Sequence, residues 1–270
     1  MPPLSPDGPG ATPAAVRAPS VVTALRSAGC VFPEDEAELI LSTARTPDEA
    51  ATMVSRRAAG VPLEHVLGWA EFHGLRVTLE PGVFVPRRRT EFLVDEAVAL
   101  APGASLVVDL CCGSGAVGAA LAAALGGPEL HACDIDPAAV RCARRNVAPF
   151  DGRVHQGDLF SALPGVLRGR VDLLAANVPY VPTGEVGLLP AEARDHEPLT
   201  ALDGGADGLD LVRRVAAEGP RWLARGGCLL VETGEHQAAA AVGIFTDAGL
   251  TARQAVPEEG WAHVVVGVKP

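Results

Sequence analysis

Lysine is almost missing from this sequence: Lys269 is the only one, and arginine supplies every other basic side chain of fixed charge. Its scarcity excludes a Walker phosphate lysine, a Schiff-base lysine and a Tyr-x-x-x-Lys dehydrogenase pair. A basic excess is also lacking. The formal net charge is −11, so the chain does not carry the overall charge signature of a phosphate-rich partner, and nucleic acid is not the expected substrate. No Cys-x-x-Cys pair occurs among Cys30, Cys111, Cys112, Cys133, Cys142 and Cys228, which read as reduced thiols of a cytoplasmic protein. No uncharged apolar run reaches about 18 residues, so no membrane span or membrane partner is expected. The start of the chain lacks a charged segment followed by an apolar one, which argues against a signal peptide.

What is present is a large apolar fraction. Hydrophobic residues make up 48% of 270 positions, enough for one large domain or two unequal ones. Residues 1–19, rich in Pro, Ala and Gly, read as a disordered tail. Residues 20–70 carry helical spacing, with Thr46-Pro47-Asp48-Glu49 as a helix start. Residues 71–85 alternate and turn at Gly74 and at Pro81-Gly82, which predicts a β-hairpin linker. Beyond them, residues 86–270 form the main domain. Strands over 106–110, 129–135, 153–158, 171–177 and 226–234 alternate with helices, the pattern of a doubly wound parallel sheet. The last two strands, 251–256 and 262–268, lie too close for a crossover, which predicts an antiparallel hairpin. The expected fold class is therefore α/β, a seven-stranded mixed Rossmann-like sheet behind a small helical domain. A monomer is expected.

The first strand runs into Asp109-Leu110-Cys111-Cys112-Gly113-Ser114-Gly115. Such glycines let the chain turn sharply and let a ligand approach the backbone, and the following helix offers free N–H groups. Asp134, at the end of strand two, can accept from both ribose hydroxyls of a nucleoside. Asp158, at the end of strand three, can meet an adenine amino group, with Leu159 packing on the ring. Gly113, Gly115 and Gly118 also satisfy G-x-G-x-x-G, so a nicotinamide dinucleotide competes. Asp109 favours a cationic nucleoside, S-adenosylmethionine, because a pyrophosphate gains nothing from a nearby carboxylate.

Asn177-Val178-Pro179-Tyr180 stands at the end of strand four, where open α/β sheets bind ligands. The lone pair of an amide or aromatic amine is delocalised, so the nitrogen is a poor nucleophile. Two oxygen acceptors can hold its hydrogens and push the nitrogen toward a pyramidal shape. The Asn177 side chain supplies one, and the Val178 carbonyl, held extended by the following proline, supplies the other. Tyr180 can stack on the planar group. Pro179 completes the set of expected catalytic and substrate-holding positions.

These motifs resemble the HemK-type protein-(glutamine) methyltransferases. The resemblance runs over residues 20–268 and includes PLEHVLGWAEFHGL (62–75), VFVPRRRTEFLV (83–94), VVDLCCGSGAVGAALA (107–122), ACDIDPAAVRCARRN (132–146), GDLFSAL (157–163), VDLLAANVPYV (171–181), EPLTALDGGADGLD (197–210) and GGCLLVETGEHQ (226–237). It implies methyl transfer to the glutamine amide in the Gly-Gly-Gln motif of a peptide-chain release factor, with the helical domain recognising that protein. It further implies that residues 111–115, Asp134, Leu159 and Asn177 hold S-adenosylmethionine, with S-adenosylhomocysteine as product, and that Arg87 and Glu197 border the substrate. The usual Asn-Pro-Pro-Tyr is here Asn-Val-Pro-Tyr, and the usual Pro-Arg-Pro-x-Thr-Glu is here Pro86-Arg87-Arg88-Arg89-Thr90-Glu91. Competing readings are an amino-group methyltransferase acting on nucleic acid or on a small secondary metabolite, and a nucleoside-binding module without catalysis. Asp195-His196-Glu197 is adjacent in sequence but lacks a His-x-x-x-His partner, so no metal site is expected.

Overall fold

The computed structural model describes residues 18–270. The expected tail lies outside the described residues except for Ala18 and Pro19, which already belong to a helix. The chain divides into two compact units, one ending at Leu67 and the other spanning Gly68–Pro270.

The first unit comprises α1 (Ala18–Ser27), α2 (Pro33–Thr43), α3 (Pro47–Ala58) and α4 (Leu63–Leu67). Proline opens α2 and α3, where no intrahelical N–H is needed. The Thr46 hydroxyl caps α3 by accepting from the Glu49 N–H at 3.1 Å. Val21, Leu25, Ala37, Ile40 and Met53 form the apolar interior. A buried ion pair sits among them. Arg57 donates from Nε to Glu36 Oε2 at 2.6 Å, and from Nη1 to the Val61 carbonyl at 3.2 Å. Removing the cation strands a carboxylate away from water. Arg57→Ala is expected to destabilise this unit by about 3–5 kcal/mol, measured by chemical denaturation.

The second unit opens with a hairpin, β1 (Trp69–Phe72) and β2 (Leu75–Thr78). His73 and Gly74 both have positive φ, 48° and 73°, the requirement of a two-residue type I′ turn. The ladder therefore begins earlier than the predicted 71–85 and stops at Thr78. From there Leu79, Val83 and Val85 leave the strand pattern to bury themselves against Ala139 and Cys142. One turn of tight helix over Arg88–Thr90 leads into α5 (Glu91–Leu100).

The main sheet is built from β3 (Leu106–Leu110), α6 (Ala116–Ala124), β4 (Glu129–Asp134), α7 (Pro137–Val147), β5 (Arg153–Gln156), β6 (Val171–Ala176), α8 (Ala191–His196), α9 (Asp210–Trp222), β7 (Leu223–Glu232), α10 (Ala238–Asp247), β8 (Thr251–Ala255) and β9 (Val264–Val268). Its seven strands run in the order β5-β4-β3-β6-β7-β9-β8, with β9 antiparallel to both neighbours, as the short final link predicted. All five residues of β3 are buried, as a strand covered on both faces requires. β7 starts at Leu223, not Gly226, because an irregularity opposite Val171 lets the chain rejoin the sheet at Cys228. The chain winds outward from β3 through β4 to β5, then returns to β6 on the other side. The crevice at this reversal, beyond the strand ends, is where such sheets receive ligands. Among the described residues, no helix is long and apolar enough to cross a membrane.

Candidate active site

A cavity of about 780 Å³ opens at the carboxyl ends of β3, β4 and β6, a size suited to a small ligand. One wall is the loop after β3, where Cys111 and Gly113 have φ of 54° and 53°. Cys112 N–H donates to the Cys133 carbonyl at 3.0 Å, and Gly113 N–H donates to Asp134 Oδ2 at 2.9 Å. The other Asp134 oxygen accepts from the Asp136 N–H at 2.9 Å. Burial pushes the Asp134 carboxyl up from its ordinary value. Asn146 braces the same loop from behind, donating to the Ser114 and Thr78 carbonyls at 2.8 Å each.

The predicted nucleoside residues divide by position. Asp109, Cys111, Cys112, Gly113, Ser114, Asp134, Asp158 and Leu159 all line the cavity. Gly115 does not. Its φ is 78°, and a Cβ there would stand 3.0 Å from the Ala143 backbone, so it serves the close packing of α6 on α7. Asp109 accepts from the Gly118 N–H at 2.8 Å and thereby ties the end of β3 to the first turn of α6. Asp158, expected to meet an adenine amino group, lines the cavity and is also ion-paired with Arg214 at 2.6 Å, both side chains being half-exposed. Leu159 adopts φ 47°, a costly conformation for a branched residue, at the cavity edge.

The tetrapeptide after β6 forms the opposite wall, and Asn177, Val178, Pro179 and Tyr180 all reach the cavity. The Asn177 amide nitrogen donates to Thr90 Oγ1 at 3.4 Å, which orients the side chain. Among the described residues its Oδ1 accepts no hydrogen bond. Val178 packs its side chain into the core, 1% exposed. The following backbone is pinned through Val181, Leu202, Gly204 and Gly205, and none of those bonds uses the Val178 carbonyl. The Tyr180 hydroxyl donates to Glu232 Oε1 at 2.8 Å, and burial, then the Glu232 charge, pushes the phenol well above its ordinary value.

Arg87 lines the cavity, but Glu197 does not. Its side chain is 1% exposed and accepts from the Val85 N–H at 3.2 Å and from Arg87 at 2.6 Å. Sequence reasoning missed Thr90, Glu232, Gln237, Gly208 and Arg214. Glu232 had a signal: it is the acid that ends the apolar run of β7, at the same end of the sheet as Asn177. Gln237 had none. It donates from Nε2 to the Tyr180 carbonyl at 2.7 Å and to the Asp207 carbonyl at 2.9 Å, contacts only the tertiary fold creates. Among the described residues no cluster of His, Cys, Asp or Glu is arranged to hold a metal.

The sheet order, the glycine loop with its acidic partner and the polar tip of β6 define a Rossmann-like methyltransferase. Comparison agrees with that class. The family model described as methyltransferase small domain matches residues 74–190. The solved methyltransferase of Pyrococcus furiosus, 16% identical, shares the fold with a TM-score of 0.57 over 80% of this chain and 98% of that one. The release factor glutamine methyltransferase of Geobacter sulfurreducens is 40% identical over 208 residues, 75% of this chain and 72% of the relative. The 4-amino-L-phenylalanine/4-methylamino-L-phenylalanine methyltransferase of Streptomyces pristinaespiralis is 38% identical over 73% of this chain and 69% of its own. The chain belongs to the release factor glutamine methyltransferase family.

Two outcomes follow from this geometry. A Cβ on Gly208 would stand 2.1 Å from Gln237 Nε2 and 2.2 Å from the Tyr180 carbonyl oxygen, at a φ of 76°. Gly208→Ala should cost at least about 1–2 kcal/mol, read by thermal denaturation, with a disproportionate loss of activity from the displaced Tyr180. For Asp109, burial raises the carboxyl from 3.8 to about 7. The folded chain thus holds that proton more tightly than the unfolded one, so stability falls as pH rises from about 4 to about 7 and then levels. Asp109→Asn keeps an oxygen for Gly118 without the buried charge. Its melting-temperature advantage over the wild type should be larger at pH 8 than at pH 5.

Proposed function

We propose that this protein transfers a methyl group from S-adenosylmethionine to the side-chain amide nitrogen of glutamine in the Gly-Gly-Gln motif of a peptide-chain release factor. The observation that carries the reading is the uncommitted pair of oxygens at the tip of β6. Thr90 turns the Asn177 amide so that its nitrogen is used and its oxygen is not. The Val178 carbonyl beside it is equally unspent. Two acceptors at one strand end match the two hydrogens of an NH2 group and discourage the delocalisation that makes an amide inert.

The cavity fits the cofactor. Leaving aside the buried Asp109, six carboxylates, Asp134, Asp136, Asp158, Glu192, Asp203 and Asp210, line it against three arginines, so its field favours a cation and opposes a pyrophosphate. Asp134 would hold the ribose hydroxyls, the 111–114 backbone and the start of α6 the methionyl carboxylate, and Leu159 the adenine face. When bound, S-adenosylmethionine supplies a methyl group on a sulfonium that loses its charge on transfer. The chain's own task is orientation: Asn177 and Val178 aim the nitrogen, and Tyr180 with Pro179 confines the plane of the amide. No strong general base is required. The helical unit is assigned to recognition of the protein substrate, with Arg87 at the border of the acceptor.

An arylamine of a free amino acid is the second reading, favoured by the name of the Streptomyces relative. Ion pairing counts against it. Among the arginines lining the cavity, Arg87 is paired with Glu197, Arg89 with Glu232 and Arg214 with Asp158. None is left over for a free carboxylate or for nucleic-acid phosphate, whereas a glutamine within a protein brings no such charge. Labelled methyl transfer to an unmethylated release factor, with the site mapped by mass spectrometry, tests the proposal. Labelling of the Gly-Gly-Gln glutamine is expected, and faster turnover of 4-amino-L-phenylalanine or of nucleic acid would overturn it. Asn177→Ala should lower turnover on the order of 100-fold while leaving S-adenosylhomocysteine affinity within about threefold, by calorimetry. Unchanged turnover would favour a binding module.

A further inference from the structure

Glu232 is a carboxylate buried at the end of β7, 1% exposed, at a position that does not line the cavity. It nonetheless touches two side chains that do. Its Oε1 accepts from the Tyr180 hydroxyl at 2.8 Å and from Arg89 Nε at 3.0 Å. The Arg89 guanidinium carbon stands 5.7 Å from the Tyr180 ring centroid, so the three groups form one closed contact. The second oxygen, Oε2, is fully buried and finds no hydrogen-bond partner among the described residues, and the neighbouring Thr233 hydroxyl is in the same state.

A buried carboxylate with one idle oxygen is costly, by more than a neutral group would be. Packing alone does not call for it, since glutamine or leucine would fill a similar space without the charge. What the charge does here is specific. It fixes the phenol in one rotation by giving its proton a single strong acceptor. It also draws Arg89 against the wall, neutralising the cation that would otherwise project into the acceptor end. Arg89 sits within the run Arg87-Arg88-Arg89, and without Glu232 its charge would face the cavity unpaired.

We infer that Glu232 is a positioning residue for the acceptor: it holds Tyr180 at the angle that confines the planar group and keeps the acceptor end of the cavity electrically neutral. This inference rests on the methyl-acceptor reading of the β6 tip. It acts through Tyr180 and Arg89, and it touches no reacting atom.

The test compares Glu232→Gln, Tyr180→Phe and the double variant in the full-length protein. Acceptor kinetics use an unmethylated release factor, and cofactor affinity is measured with S-adenosylhomocysteine. Glu232→Gln should lower kcat/KM for the acceptor about 10-fold or more while cofactor affinity stays within about threefold. The double variant should lose less than the product of the two single losses, because both single variants break the Tyr180–Glu232 contact. Effects that multiply, or a loss of cofactor affinity equal to the loss of turnover, would overturn the inference. A second readout needs no acceptor. Tyr180 is the only tyrosine, so protein labelled with 3-fluorotyrosine gives a single fluorine resonance that reports on it alone. Glu232→Gln should shift and broaden that line. A line coincident with the wild type would overturn the positioning role, even if the release factor proved not to be the substrate. Failure of the wild type to methylate a release factor, with the line shifted as expected, would sink the substrate reading alone.

Discussion

At the tip of β6 the backbone stops pairing with the strands beside it, and the oxygens that a ladder would have consumed are left to other uses. The last residue in register is Ala176, opposite Leu110 on one side and Val231 on the other. One position later Asn177 has no strand partner, and Val178 turns its side chain into the core. The structure then spends considerable effort holding this tip still. Gln237 grips the Tyr180 carbonyl, Gly204 and Gly208 allow the returning loop to pass close by, and Glu232 fixes the phenol. A short polar segment is useful for orienting an inert nitrogen only if it does not move, and each of these contacts removes one way in which it could.

Charge distribution serves the same end. The cavity combines many carboxylates with arginines that are all spoken for. On the proposed reading, the acidic side would suit a cationic cofactor, and the paired arginines would leave an acceptor end with no claim on an anion. Cys111 and Leu159 hold positive φ at the cavity rim; hydrogen bonds to the Cys133 carbonyl and Asp134 brace the loop next to Cys111, and the Leu159 carbonyl accepts from the Cys133 thiol at 3.5 Å.

Much of this was legible from the residues. The parallel sheet followed from the alternation of strand and helix segments along the chain, and the closing antiparallel hairpin followed from a link too short to cross over. The glycine loop, Asp134 and the Asn177–Tyr180 segment could be placed at strand ends by position alone. Less visible was what each group does once placed. Asp109 reads in sequence as an acid near a ligand, and in the fold its oxygen is taken by Gly118. Asp158 reads as an acceptor for a base, and in the fold one of its oxygens also pairs with Arg214, far along the chain. Glu197 reads as a border to the substrate, and it is turned inward to Arg87 and Val85.

By itself, then, the sequence determined the order of elements, the doubly wound sheet and the place where chemistry would sit, because those depend on periodicity, turn residues and strand ends, all of them local properties. Only the tertiary structure decided which polar groups remain free to act. Hydrogen bonds such as Tyr180 to Glu232, Gln237 to Tyr180 and Arg87 to Glu197 join residues 52 to 110 positions apart, and no local pattern encodes which donor will find which acceptor once the sheet has closed.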